Sequence, residues 1–156
     1  MMIRFIAVFM LYMLLLSTPC LAAPAVALPK GYTSWIKSER KIVTDKGSLF
    51  YGIHYLYADR KAMQGYRDGN SFPEGSTIIV EHFMIKDGNS AVNGPKNMVV
   101  MMRRDKRQQT TGGWLFAGFT PEGKPSGLDP AGTCFGCHQK DAAQRQFVIS
   151  TIKDFK

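Results

Sequence analysis

The chain has 156 residues, with 20 Lys and Arg against 12 Asp and Glu, and a formal net charge of +8 at pH 7. Its 45% hydrophobic and 21% charged residues are the balance of one globular domain, which argues against a repeat array, a coiled coil or a disordered chain. Three cysteines are too few for a disulfide-stapled scaffold, and two of them fall within one five-residue motif.

The first 22 residues have a composition of their own. Arg4 is followed by an unbroken apolar run from Phe5 to Leu16, then by Ser17-Thr18-Pro19-Cys20-Leu21-Ala22, the small residues of a cleavage region. This pattern reads as a signal peptide cut near Ala22. As a helix the apolar run reaches about 18 Å, short of the roughly 30 Å hydrocarbon core, so a membrane anchor is not expected. Cleavage leaves 134 residues and a net charge of +7, because Arg4 goes with the leader. Cys20 goes too, leaving Cys134 and Cys137. Export to the periplasm makes nucleic acid an unsuitable partner despite the positive charge, and no membrane contact is expected after cleavage. The one basic cluster, Arg103-Arg104-Asp105-Lys106-Arg107, reads as a solvated strand end; as a docking patch it would suit an acidic redox partner.

Residues 23–156 read as one domain. Ala23 to Leu28 is an Ala/Pro/Val leader expected to be poorly ordered. Thr33 or Ser34 can cap a helix to about Lys41, with Trp35 and Ile36 inward. After Asp45-Lys46-Gly47 comes a strand, Leu49 to Ala58, with Phe50, Gly52, His54 and Leu56 on one face and Ile53, Tyr55 and Tyr57 on the other. Asp59 caps a short helix, Arg60 to Tyr66. Strands follow at Ser76–Lys86, Asn97–Arg104 and Gly113–Phe119, separated by Asp87-Gly88-Asn89 and by the basic cluster with Gly112-Gly113. Short links of this kind suit antiparallel neighbours. Thr120 to Thr133 is a Gly/Pro-rich loop, Gln139 to Arg145 continues a helix, and Phe147 to Ile152 supplies a last strand. The expected fold is α+β: an antiparallel sheet with a few short helices.

Cys134-Phe135-Gly136-Cys137-His138 is the C-x-x-C-H pattern of c-type haem attachment near the C-terminus. Two thiols add across the two haem vinyl groups, and the adjacent imidazole becomes the proximal iron ligand. A zinc site would need further ligands, and His54 and His82 are not in finger spacing. A thioredoxin-like dithiol would sit near a βαβ pattern, which is absent. A plain disulfide suits an oxidising compartment, but export together with the full motif favours one covalent haem c. For a sixth ligand the chain offers Met63, Met84, Met98, Met101, Met102, His54 and His82; most of the methionines read as core filler, and the residues alone leave the choice open.

An exported, mostly β domain with one C-terminal C-x-x-C-H motif resembles the cytochrome P-460 family, including its cytochrome c′-beta branch. The landmarks are Pro29-Lys30-Gly31-Tyr32 with Trp35, the strand Phe50 to Asp59, Phe72-Pro73-Glu74-Gly75-Ser76 leading into Ile78-Ile79-Val80-Glu81, and Gly113-Trp114-Leu115-Phe116. The resemblance implies a homodimer with five-coordinate haem, His138 below the iron and an open distal pocket above it. Phe50 matches the family's distal phenylalanine. Members that oxidise hydroxylamine carry a lysine, cross-linked to the porphyrin, immediately before a glutamate; here Val80 precedes Glu81. Their distal carboxylate falls at Met101 in this register. With Val80 and Met101 both apolar, the pocket has no general base, which weakens a hydroxylamine-oxidising reading.

The expectation is a periplasmic mono-haem cytochrome whose apolar distal pocket, formed by Phe50, Val80 and Met101, binds small diatomic ligands such as NO and CO. Two alternatives stand beside it. One is oxidation of hydroxylamine or NO, with another lysine such as Lys86 reaching the haem. The other is a six-coordinate electron carrier.

Overall fold

The computed structural model describes residues 26–86 and 89–156. The leader read over residues 1–22, its cleavage point and the tip of the Asp87-Gly88 turn lie outside the described residues. Six antiparallel strands form one sheet: β1 (Ile36–Lys37), β2 (Lys41–Val43), β3 (Gly52–Ala58), β4 (Thr77–Lys86), β5 (Asn89–Arg104) and β6 (Trp114–Phe119). Their order is β1-β3-β4-β5-β6, and β2 shares with β1 the outer edge of β3. Two short α-helices, α1 (Arg60–Arg67) and α2 (Gly136–Ala142), complete an α+β fold.

Register decides what each face carries, because residues directly opposite in a ladder share a face. Leu56 pairs with Val80 and Val80 with Val100; Ala58 pairs with Ile78, Ile78 with Met102 and Met102 with Phe116. These residues form the upper face. Its core includes Trp114, Phe72 and Tyr66, with Trp114 wholly buried and Phe72 edge-on to it at 5.4 Å. On the lower face Tyr57, Ile79 and Met101 align, and Tyr55, Glu81, Val99 and Phe119 form the next row. Helix α1 begins where expected, since the Asp59 carboxylate accepts from Ala62 N at 2.7 Å; its other oxygen accepts from Thr77 N at 3.1 Å, so one side chain both caps α1 and ties it to β4.

The expected helix from Thr33 to Lys41 does not form. A single 3₁₀ turn, Tyr32–Ser34, gives way to β1 and β2, and Ile36 is exposed rather than inward. The open edge of β3 needs partners for its backbone, and this segment supplies them. Between the two strands Ser38 fills the gap: its N–H donates to Leu56 O at 2.8 Å and its Oγ accepts from Leu56 N at 2.9 Å. Of the segment expected to be poorly ordered, Val26 and Leu28 pack on the lower-face core, while residues 23–25 lie outside the described residues. β5 begins at Asn89, well before the expected Asn97, and its register with β4 slips beyond His82.

The C-terminal part also differs from the expectation. The Gly/Pro-rich loop ends early, in a π-helical turn at Pro130–Phe135 that runs straight into α2, and a 3₁₀ turn at Ala143–Arg145 follows. No strand forms over Phe147–Ile152: Gln146 and Phe147 have φ of 51° and 64°, a consecutive left-handed pair that turns the chain out of line with the sheet. The basic cluster is partly absorbed by the fold, since Arg104 lies over the Trp114 ring and donates to Gly112 O and Gly113 O, while Arg107 grips Asp105 with two nitrogens.

Glu81 organises the lower face. It accepts from Tyr32 Oη at 2.7 Å, Tyr57 Oη at 3.0 Å and Lys96 Nζ at 2.6 Å. Burial raises its pKa, but these three donors outweigh burial and hold it below the ordinary glutamate value. The depressed folded pKa therefore contributes stability that is present above about pH 4.3 and lost as the pH falls through the folded value. Glu81→Gln is expected to cost about 2 kcal/mol at pH 7, as for loss of charge-assisted hydrogen bonds. In urea melts across pH 7 to 2 the gap between the two proteins closes at the acid end; a constant gap would place the cost elsewhere.

Candidate functional site

Helical spacing brings the cysteine motif to one side of the chain. Cys134, Cys137 and His138 stand at i, i+3 and i+4 along the continuous turn of π-helix and α2, so their side chains share a face. Asp129 starts that turn, its carboxylate accepting from Ala131 N and Gly132 N at 3.1 and 2.8 Å. Both thiols are free, Cys134 half-buried and Cys137 exposed. Burial, followed by the nearby charge of Asp129 and by Cys137, raises the pKa of Cys134 and keeps its thiol protonated.

The His138 ring is fixed from two sides. Its Nδ1 donates to Phe147 O at 2.6 Å, and Phe116 of β6 packs against it at 4.9 Å. The left-handed pair Gln146-Phe147 makes this contact available by turning the chain back over α2, and Trp114 Nε1 holds the same turn through Gln146 O at 2.8 Å. Burial lowers the pKa of His138, so the imidazole is neutral; with its Nδ1 proton committed to Phe147, Nε2 keeps its lone pair.

A cavity of about 450 Å³ opens beside this face. Its floor is the upper face of the sheet, with Leu56, Ile78, Val80, Val100, Met102 and Phe116. β2 and Phe50 close the side next to β3, and Cys134, Cys137 and His138 stand on the other side, next to β6. Lys41, at the rim, is ion-paired with Asp154. An apolar slot bordered by two free thiols and a neutral imidazole with a free Nε2 fits a planar haem held by thioether bonds and one axial histidine. Among the described residues no group of three or more His, Cys, Asp and Glu side chains is disposed to hold a bare metal ion.

Of the residues singled out in the sequence, the structure brings Phe50, Val80, Cys134, Cys137 and His138 to this one cavity. Met101 is displaced by one position. It borders the cavity through its strand, but its pairing with Ile79 sends its side chain into the lower-face core, where it is 2% exposed. The side chain facing the cavity at that level is Val100, opposite Val80. Glu81 likewise faces away. Lys86 is not part of the lining; Lys41 is the lysine that reaches the rim.

The candidates for a sixth iron ligand separate clearly. Met84 is exposed, and neither it nor Met63 or Met98 lines the cavity. Met102 lies in the row of Phe116, on the His138 side. His82 has both nitrogens occupied, with Nε2 donating to Tyr51 O at 2.9 Å and Nδ1 accepting from Asn97 Nδ2 at 3.3 Å. His54, opposite His82 in the ladder, lines the cavity. Sequence reasoning missed Phe147, which acts through a backbone carbonyl and leaves no residue-type signal. It also missed Phe116, whose role depends on where α2 lands.

Gly52 underlies the β3 side of the wall. Its φ is +144°, and a Cβ there would stand 2.4 Å from Phe83 O and 2.6 Å from His82 Nε2. Gly52→Ala is therefore expected to lower stability by about 2 kcal/mol or more through strain and collision, measured by urea denaturation. A neutral outcome would mean that β3 can shift freely against β4.

No curated protein matches the chain. The family model for Cytochrome P460 matches residues 29–150, from the Pro29-Lys30-Gly31-Tyr32 segment through all six strands and the cysteine motif. The apolar cavity, its two thiols and its oriented histidine are thus found in a chain that belongs to the Cytochrome P460 family of haem-binding cytochromes.

Proposed function

We propose that the protein is a periplasmic cytochrome carrying one haem c, attached through Cys134 and Cys137 and ligated by His138, which binds NO or CO in an apolar distal pocket. The observation that carries this reading is the hydrogen bond from His138 Nδ1 to Phe147 O, which leaves Nε2 free beside the cavity. Metal-ligating histidines generally orient themselves by donating their other ring N–H in this way. Bound haem iron would supply the coordination position at which a diatomic ligand is held.

The chain's own residues do the rest. Phe147 O fixes the tautomer and angle of the imidazole, Phe116 resists its rotation, and thioether bonds from Cys134 and Cys137 to a bound haem would add to that restraint. Val80, Val100 and Leu56 exclude water and place no N–H or O–H donor on the sheet wall, which favours uncharged NO and CO over ligands that need a polar anchor. Val80 has no amine to bond a porphyrin, and the Lys41 ammonium is held by Asp154. The missing amine at Val80 supports ligand binding over hydroxylamine oxidation; the expected lack of a base does not, because His54 lines the cavity. Export with cleavage near Ala22, a homodimer and an acidic redox partner complete the proposal.

Two measurements test it. The ferrous protein, matured with haem, is expected to give a high-spin spectrum that shifts at once on addition of CO; a low-spin spectrum indifferent to CO would contradict an open pocket. Mass spectrometry of the haem peptide is expected to show bonds at Cys134 and Cys137 alone. A third covalent link to a lysine would favour the enzymatic reading instead.

A further inference from the structure

The β3 side of the cavity holds a base that an apolar pocket does not require. His54 is 6% exposed, and its Nε2 is buried with no hydrogen-bond partner. Burial, with the His82 ring 5.0 Å away, pushes its pKa down to about 4, so the ring is neutral at pH 7. The Phe50 backbone favours the ring proton on Nδ1, which leaves Nε2 with the lone pair and no partner. A buried acceptor left in this state calls for a partner that arrives from outside the chain.

Phe50 stands next to it. The Phe50 ring also lines the cavity and packs edge-to-face on His54 at 5.6 Å and on His82 at 6.4 Å. The two imidazoles are set by the β3–β4 ladder, whereas Phe50 lies in the turn before β3 and is half-buried. Phe50 is thus outside the ladder that holds the two imidazoles.

We propose that His54 Nε2, lying behind the distal phenylalanine Phe50 that the family resemblance implies, accepts the proton of a protic ligand that passes that ring. The inference rests on the cavity being the haem site, and it adds a second ligand class to that site: small neutral molecules that must give up or share a proton to bind. HCN is a suitable probe. Its H–C bond would break with the proton passing to Nε2, and ferric haem iron, held by His138, would take the freed carbon lone pair with no change of oxidation state. CO carries no proton and reports on entry alone.

The experiment follows the association of HCN with the ferric holoprotein and of CO with the ferrous one at pH 7. It compares the wild type with Phe50→Ala, His54→Leu, and the two combined. Phe50→Ala is expected to speed both ligands, with an HCN gain on the order of 100-fold from the exposed base. Adding His54→Leu should abolish the HCN gain and keep the CO gain; His54→Gln, whose amide oxygen accepts a hydrogen bond but not a proton, should abolish it too. An HCN gain that survives in the double variant overturns the proposal. So does a wild-type low-spin spectrum that His54→Leu converts to high-spin, because His54 would then be an iron ligand. If neither the wild type nor Phe50→Ala takes up CO, the open-pocket reading itself fails. CO uptake with HCN rates independent of His54 overturns this inference alone.

Discussion

The hydrogen bond from His138 Nδ1 to the Phe147 carbonyl, at 2.6 Å, is the contact on which the site depends. An imidazole next to a pair of cysteines becomes a useful metal ligand only when its tautomer and its angle are set. Here both are set by one backbone oxygen, delivered by a two-residue left-handed reversal that Trp114 holds through Gln146. The same reversal keeps the last residues off the sheet and sends Ile149 and Ser150 to the cavity wall. Core packing at Trp114 and site geometry at His138 are thus one construction, and loosening the first disturbs the second.

The sheet separates two kinds of chemistry across a single layer of backbone. The upper face is apolar where the cavity lies, except for His54 on the β3 side. The lower face gathers Glu81, Tyr32, Tyr57 and Lys96 into a satisfied polar cluster. Adjacent residues on β4 serve opposite ends: Val80 faces the cavity and Glu81 the tyrosines. A carboxylate one position away from the pocket therefore contributes nothing to it, because a one-residue step along a strand crosses the sheet.

The parts of the site that were legible in the sequence are those with local causes. Cys134, Cys137 and His138 share a face by helical spacing alone, and alternation along β3 put Phe50, His54 and Leu56 together. Asp59 announced α1 because capping involves only the next turn. The failures have non-local causes. Trp35 and Ile36 suggested a helix, but the unpaired edge of β3 claimed the segment. The apolar run after Phe147 suggested a strand, but two positive φ angles took it elsewhere. Met101 was one residue off because the facing of β5 is fixed by its pairing with β4 and β6, which residue types do not report. The base at His54 was visible as a residue, but its bare lone pair was not: that depends on burial against Phe50 and His82, and His82 differs only because Tyr51 and Asn97 occupy its nitrogens.

The central claim is that one oriented histidine, His138, is the chain's sole ligand to the haem iron. Resonance Raman spectroscopy of the ferrous protein tests it most directly, because an iron–histidine stretch is seen when a single imidazole holds a five-coordinate iron. The account predicts one such band, shifted by iron isotope substitution and absent from His138→Gly. No band in the wild type, or a band that survives in His138→Gly, would contradict it.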